Sequence, residues 1–134
     1  MAITQAMCTS FKVEILNGIH AFGTTVVRAG TTADTMKIAL YTSAATIGAT
    51  TTAYSVTNET SGTGYIAGGN TLTTVTPASS GTTAFSTFAD TTWATSSITA
   101  RGALIYNDTQ ADKAIAVLDF GSDKTSTGGN FTVG

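Results

Sequence analysis

Apolar residues recur along this chain with two different periods. Between about Thr4 and Gly18 the period is four: Met7, Phe11 and Ile15 follow one another, with Cys8 and Ile19 on the same side. That spacing predicts an N-terminal helix over about 4–18, with one apolar stripe and Gly18 as its stop. A stripe of this kind docks on its own sheet or on another subunit. From Gly23 onward the helical period vanishes. In "TMKIALYTS", Met36, Ile38 and Leu40 alternate with Lys37, Ala39 and Tyr41, as a half-buried strand requires. The Thr-, Ser- and Gly-rich run that follows predicts a long excursion, with a short strand near Tyr54 and another around Tyr65.

Farther on, "TLTTVTPASSGTTAFSTFADTTWAT" predicts two strands joined at "PASSG", where the only proline and a following glycine supply turn chemistry. Phe85 and Phe88 cannot share one strand face, so a bulge or corner is expected between them. Trp93 is expected as a core or rim anchor. "ITARGALIYN" and "KAIAVLDFG" are apolar enough for central strands, and "DTQAD" between them fits a hairpin loop. "GSDKTSTGGNFTV" closes with a Gly-rich turn and a last short strand. Many short strands with one helix point to a mainly β chain over 23–133, an antiparallel β-sandwich or jelly-roll-like barrel, and residues 1–134 are expected to form a single domain.

Composition sharpens this picture. Charged residues make up only 10% of 134, well below the roughly 25% of ordinary soluble domains. Thirty threonines carry much of the polar character instead; their β-branched carbon favours the pleated conformation and their hydroxyl keeps a surface wettable. A surface with so little self-repelling charge fits a protein covered by partners or held in an assembly. A net charge of -2 with scattered bases argues against nucleic-acid binding. No basic-then-apolar leader is present, and no apolar run approaches the about 18 residues of a membrane span. The chain is therefore expected to be made in the cytoplasm.

Candidate chemistry is sparse. Asp108, Asp112 and Asp119 cluster around the last hairpin, but Asn-Asp and Ala-Asp-Lys are sequences that turns use. Neither "NDTQAD" nor "GSDKTSTGG" has the acid spacing of a calcium loop. Gly62, Gly64, Gly68 and Gly69 lack phosphate-cradle spacing and read as turns. His20, the only histidine, has no triad signature around it and is expected on a rim just past the helix. Cys8 is alone, which excludes an internal disulfide. Arg101, inside an apolar strand, is expected to pair with a carboxylate across the sheet or to touch a neighbour. No metal, cofactor or catalytic constellation is expected, so the chain reads as a non-enzyme.

Four blocks in order, "MKIALYTSAATIGATTTAY", "NETSGTGYIAGG", "FADTTWATSSITARGALIYND" and "KAIAVLDFGSDKTSTGGNFTV", resemble a family of small virion proteins of tailed bacteriophages. The resemblance implies a structural part of the particle, and a head decoration or cement protein on the capsid surface is the expected role. Its partners would be the major capsid protein, copies of itself, or both. Met7, Phe11, Ile15, Trp93 and Arg101 are the candidate interface residues. A tail, baseplate or fibre-associated domain is the alternative; a carbohydrate-binding module using Tyr41, Tyr54, Tyr65 and Trp93 as stacking platforms is a third.

Overall fold

The computed structural model describes residues 2–16, 18–24 and 32–134. It is mainly β, with antiparallel sheets and one short helix near the N-terminus, consistent with a β-sandwich. The described elements are β1 (Ala6–Met7), α1 (Thr9–Leu16), β2 (Met36–Tyr41), β3 (Asn70–Thr71), β4 (Ala78–Ser80), β5 (Thr83–Phe85), β6 (Thr91–Asn107) and β7 (Lys113–Val133). One sheet has the order β1-β7-β6-β2-β3; β4 and β5 form a second, two-stranded sheet.

The last hairpin organises the molecule. β6 and β7 pair from Asn107↔Lys113 next to the 108–112 loop out to Thr91↔Val133. The closing "GSDKTSTGGNFTV" is thus no separate short strand but the far half of β7. Register shifts bend this long ribbon. Between the pairs Ala100↔Lys124 and Gly102↔Asp119, residues 120–123 lie opposite Arg101 alone, a bulge that turns the ribbon sharply. Beyond it the ribbon doubles back: the Phe120 and Phe131 ring centroids are 6.3 Å apart, and Val133 lines the same 250 Å³ apolar cavity as Ile38, Ile105 and Leu118. Two layers therefore come from one folded hairpin. A second slip shows in the burial of β6: buried and exposed residues alternate from Thr91, lose phase at Ala94–Thr95 and resume at Ser96. Thr95 sits there at φ 51, a strained conformation for a β-branched residue.

β2 pairs with β6 from Met36↔Asn107 to Tyr41↔Gly102. Its outer edge is closed by β3 and by the return of the long loop, through Thr42 N–H to Asn58 O and Thr60 N–H to Leu40 O. β2 is consequently buried on both faces, Ala39 and Tyr41 as well as Met36, Ile38 and Leu40, and only Lys37 keeps partial exposure. The half-buried reading was too shallow because the 42–70 excursion covers the second face. No strands form at Tyr54 or Tyr65. Single bridges take their place, Ala53↔Lys113 and Thr63↔Ser97.

The helix is shorter than the four-residue spacing predicts. Ala6 and Met7 pair with Val117 and Ala116 as an edge strand, and Cys8 N–H bonds Ile115 O, so sheet bonds claim the backbone before α1 begins. An eight-residue helix does not hold alone in water. Phe11 and Cys8 anchor it in the core, and its end closes with Gly18 at φ 69, Gly18 N–H to Ile15 O and Ile19 N–H to Glu14 O, the glycine stop expected of a Schellman motif. The core itself joins Ile38, Leu40, Leu104, Tyr106, Val117 and Trp93, each large side chain contributing about 1.5–3 kcal/mol by leaving water.

Candidate functional site

The hairpin carboxylates do not converge. Asp119 accepts from Arg101 Nε at 3.1 Å and from Gly121 N–H at 2.9 Å; these bonds, the backbone one first, hold its carboxyl below its ordinary value. Asp108 lies 4.0 Å from Lys37 Nζ, and the Asp112 carbonyl receives Tyr54 N–H. The pairing of Arg101 within its own sheet agrees with the intramolecular expectation.

His20 is not a rim residue. Its side chain is fully buried, edge-on to Phe11 at 4.9 Å. Nε2–H donates to Glu14 Oε2 at 2.7 Å, while Nδ1 receives Asn107 Nδ2–H at 2.9 Å. The second Asn107 amide hydrogen goes to Asp34 Oδ2 at 2.8 Å. Asp34 also accepts from Ala21 N–H at 2.9 Å and Gln110 Nε2 at 3.2 Å, and Lys113 Nζ reaches Glu14 Oε1 at 3.3 Å. Both ring nitrogens are thus occupied, and among the described residues no serine or threonine hydroxyl is bonded to either. The arrangement orients a histidine as a triad does, but its bonds tie α1, residues 20–21, Asp34 and the base of the β6–β7 hairpin together. Burial, and then the charge of Glu14, push the nearby Cys8 thiol up, away from the thiolate form that reacts.

A second closed cluster surrounds Glu59. Its Oε1 accepts Tyr65 O–H at 2.6 Å and Gly68 N–H at 2.8 Å; its Oε2 accepts Tyr54 O–H at 2.7 Å. Tyr65 in turn accepts Leu40 N–H at 2.8 Å. Tyr41 and Tyr106 donate to Ser55 O and Gly68 O, and Tyr54 stacks on Tyr106 at 4.8 Å. All four tyrosines pin the 42–70 loop to the sheet. The loop glycines do more than turn. A Cβ on Gly69 would lie 1.8 Å from Ile38 O, and one on Gly62 2.4 Å from Ser97 O, so both sit where backbone meets backbone. The tyrosines and Trp93 are packed against one another, Tyr65 stacking on Trp93 at 5.9 Å, and do not form an outward row of stacking platforms.

The five candidate interface residues do not share a face. Phe11 and Trp93 are core residues, 4% and 3% exposed; the Trp93 indole N–H is buried with no hydrogen-bond partner among the described residues. Met7 lies on edge strand β1 and Ile15 at the end of α1, 52% and 45% exposed. Arg101 is half-buried in its ion pair. What sequence reasoning missed is that the hairpin at "PASSG" stands exposed. Every residue from 75 to 87 is exposed. β4 and β5 pair with each other through Ala78↔Phe85, Ser79↔Ala84 and Ser80↔Thr83, and a Gly81–Thr82 turn with Gly81 at φ 58 closes the pair as a type II′ turn does. Its base is fixed by Val75 N–H to Thr87 O and Ala89 N–H to Thr73 O, and by Phe88, whose ring lies 6.5 Å from Phe22. The two strands expected around "PASSG" are therefore present, with their turn at Gly81–Thr82; the strand ends at Phe85, which leaves Phe88 free to face inward. A signal was available in the sequence: no Asp, Glu, Lys or Arg occurs between Glu59 and Asp90.

An open groove of about 540 Å³ is lined by Gln5, Asp119, Phe120, Lys124, Asn130 and Phe131, among others. Its acid is bound to Arg101 and its lysine to Ser122 Oγ. Among the described residues no group of three or more His, Cys, Asp or Glu side chains could hold a metal ion, and no helix is long and apolar enough to cross a membrane. Comparison with protein-family models, curated proteins and solved structures gives no match.

Proposed function

We propose that this chain is a structural protein of a tailed-bacteriophage virion, a decoration or cement protein that binds major capsid subunits on the outside of the head. The observation that carries the reading is how its polar side chains are used. Two polar clusters, around His20 and Glu59, are closed on themselves and fasten loops to the sheet, whereas the outward positions of β6 and β7 carry paired hydroxyls, Thr92 with Thr132 and Thr99 with Thr125. Such a body offers shape and adhesion. Modest contacts of this kind, repeated at many equivalent capsid junctions, add through multivalency. The four sequence blocks that resemble small phage virion proteins support the same reading.

The test is composition of the particle followed by binding. Purified virions should contain the protein in hundreds of copies, and the isolated protein should co-sediment with empty heads at a fixed ratio to capsid subunits. A few dozen copies or fewer would move it to the tail, and absence from finished particles would sink the proposal.

A further inference from the structure

We propose that the β4–β5 hairpin is a self-association arm, whose occupant is the same hairpin of a second copy of this chain. The inference deepens the assembly reading above and is read out separately from it. The arm has no core of its own: residues 75–87 are all exposed, and isolated two-stranded hairpins are marginal in water. Its outer edge is also unguarded. Natural edge strands are blunted by Lys, Pro or bulges, yet neither β4 nor β5 contains any of these.

Register identifies the open groups. Ser80 and Thr83 flank the two-residue turn and exchange hydrogen bonds, so Ser79↔Ala84 is the non-bonded pair. The Ala84 N–H and C=O therefore point away from β4, and no described residue bonds them. Phe85, 44% exposed, stands beside them.

Charge favours a second copy as the occupant. In an antiparallel pair of β5 strands about a two-fold axis at Ala84, each Thr83 faces the other copy's Phe85 and the two Phe85 side chains lie diagonally across the axis, so an ionised side chain at these positions would lie near its own copy and meet a like charge. The arm lies inside a stretch, from Glu59 to Asp90, with no charged residue between those ends, and meets no such penalty. Backbone pairing along β5 with Phe85 packed beside it is strand addition of one copy to another. Stable interfaces use about 20–30 residues a side, more than residues 75–87 supply, so the pair is weak in solution and forms when copies are concentrated.

Sedimentation velocity of the full chain between about 1 μM and about 500 μM, the range of weak association, tests this. The wild type should self-associate as concentration rises. Ala84→Pro, which removes the outward donor but none of the hairpin's own bonds, and Phe85→Lys, which places like charges diagonally across the axis, should each weaken association severalfold with unchanged circular dichroism. A wild type that stays monomeric throughout, or variants that associate as well as it does, would overturn the proposal. Loss of head binding by Ala84→Pro in a chain that never self-associates would hand the arm to a capsid subunit instead and also overturn it. Self-association without any head binding would leave this inference standing and remove the capsid reading.

Discussion

Tyr65 and Glu59 lie 2.6 Å apart, and the tyrosine oxygen that donates to Glu59 also accepts the N–H of Leu40 at 2.8 Å. One hydroxyl thus joins the returning loop to the outer edge of β2. Replacing Tyr65 by Phe removes both bonds and leaves Leu40 N–H unpaired against a buried strand, so stability should fall by about 1–3 kcal/mol. Tyr54→Phe removes only a bond to Glu59 Oε2 and should cost about 1 kcal/mol. Urea denaturation with an unchanged slope for both variants measures the difference; equal losses would show that the Leu40 bond contributes nothing.

The same cluster makes the fold sensitive to alkali. Burial pushes the Tyr41 hydroxyl up to about 12. Tyr54, Tyr65 and Tyr106 are raised as well, burial first in each case, followed by the Glu59 bond for Tyr54 and Tyr65 and by Asp112 for Tyr106. An unfolded tyrosine titrates near about 10. A raised folded value means that this stabilisation is fully present below about pH 10 and is lost as pH climbs through the folded value. Phenolate absorbance should therefore stay low until far-ultraviolet circular dichroism collapses above about pH 10. Four phenolates appearing near that pH with the fold intact would contradict the packing described.

Gly69 and Gly81 both have positive φ, 70° and 58°, but their surroundings differ. A Cβ on Gly69 would lie 1.8 Å from Ile38 O, whereas one on Gly81 meets nothing within 4 Å. Gly81→Ala should cost only the left-handed strain, about 1–2 kcal/mol. Gly69→Ala must displace the loop from β2 and should cost about 4 kcal/mol or more. Paired thermal melts of the two variants decide the matter, and similar losses would mean that Gly69 is only a turn residue.

These pairs mark where the sequence was readable and where it was not. Alternation in "TMKIALY" and the apolar runs flanking "DTQAD" located β2 and the β6–β7 hairpin, because strand period and turn chemistry are local. The partner of Met7 is not local. Its four-residue spacing from Phe11 is helical, yet pairing with Ala116 draws it into an edge strand. Phe11 and Trp93 drop out of the candidate interface for a related reason: they are large apolar side chains, and the chain's own core claims both. His20, Asn107 and Asp34 stand up to 87 residues apart in sequence, so no spacing rule brings them together. The exposed arm left a local trace, its lack of charge, but that becomes informative only once residues 75–87 are seen to lack cover.

The His20 cluster offers a test of its own orientation. Asn107 is its only group that donates both to the ring and to Asp34, at 2.9 Å and 2.8 Å. Asn107→Asp removes those donors and sets a second carboxylate against Asp34, with both groups out of water. At neutral pH the variant should lose about 3–5 kcal/mol, the usual cost of an uncompensated buried charge. As pH falls the pair can hold one proton between them, and a protonated carboxyl donates where the amide did. The deficit relative to wild type should therefore shrink on going from about pH 7 to about pH 5. Asn107→Leu, which lacks both charge and donor, should be destabilised to a similar degree at both. Urea titrations of the three proteins at the two pH values separate repulsion from lost bonding; a deficit in Asn107→Asp that does not change with pH would mean that Asp34 is not facing it.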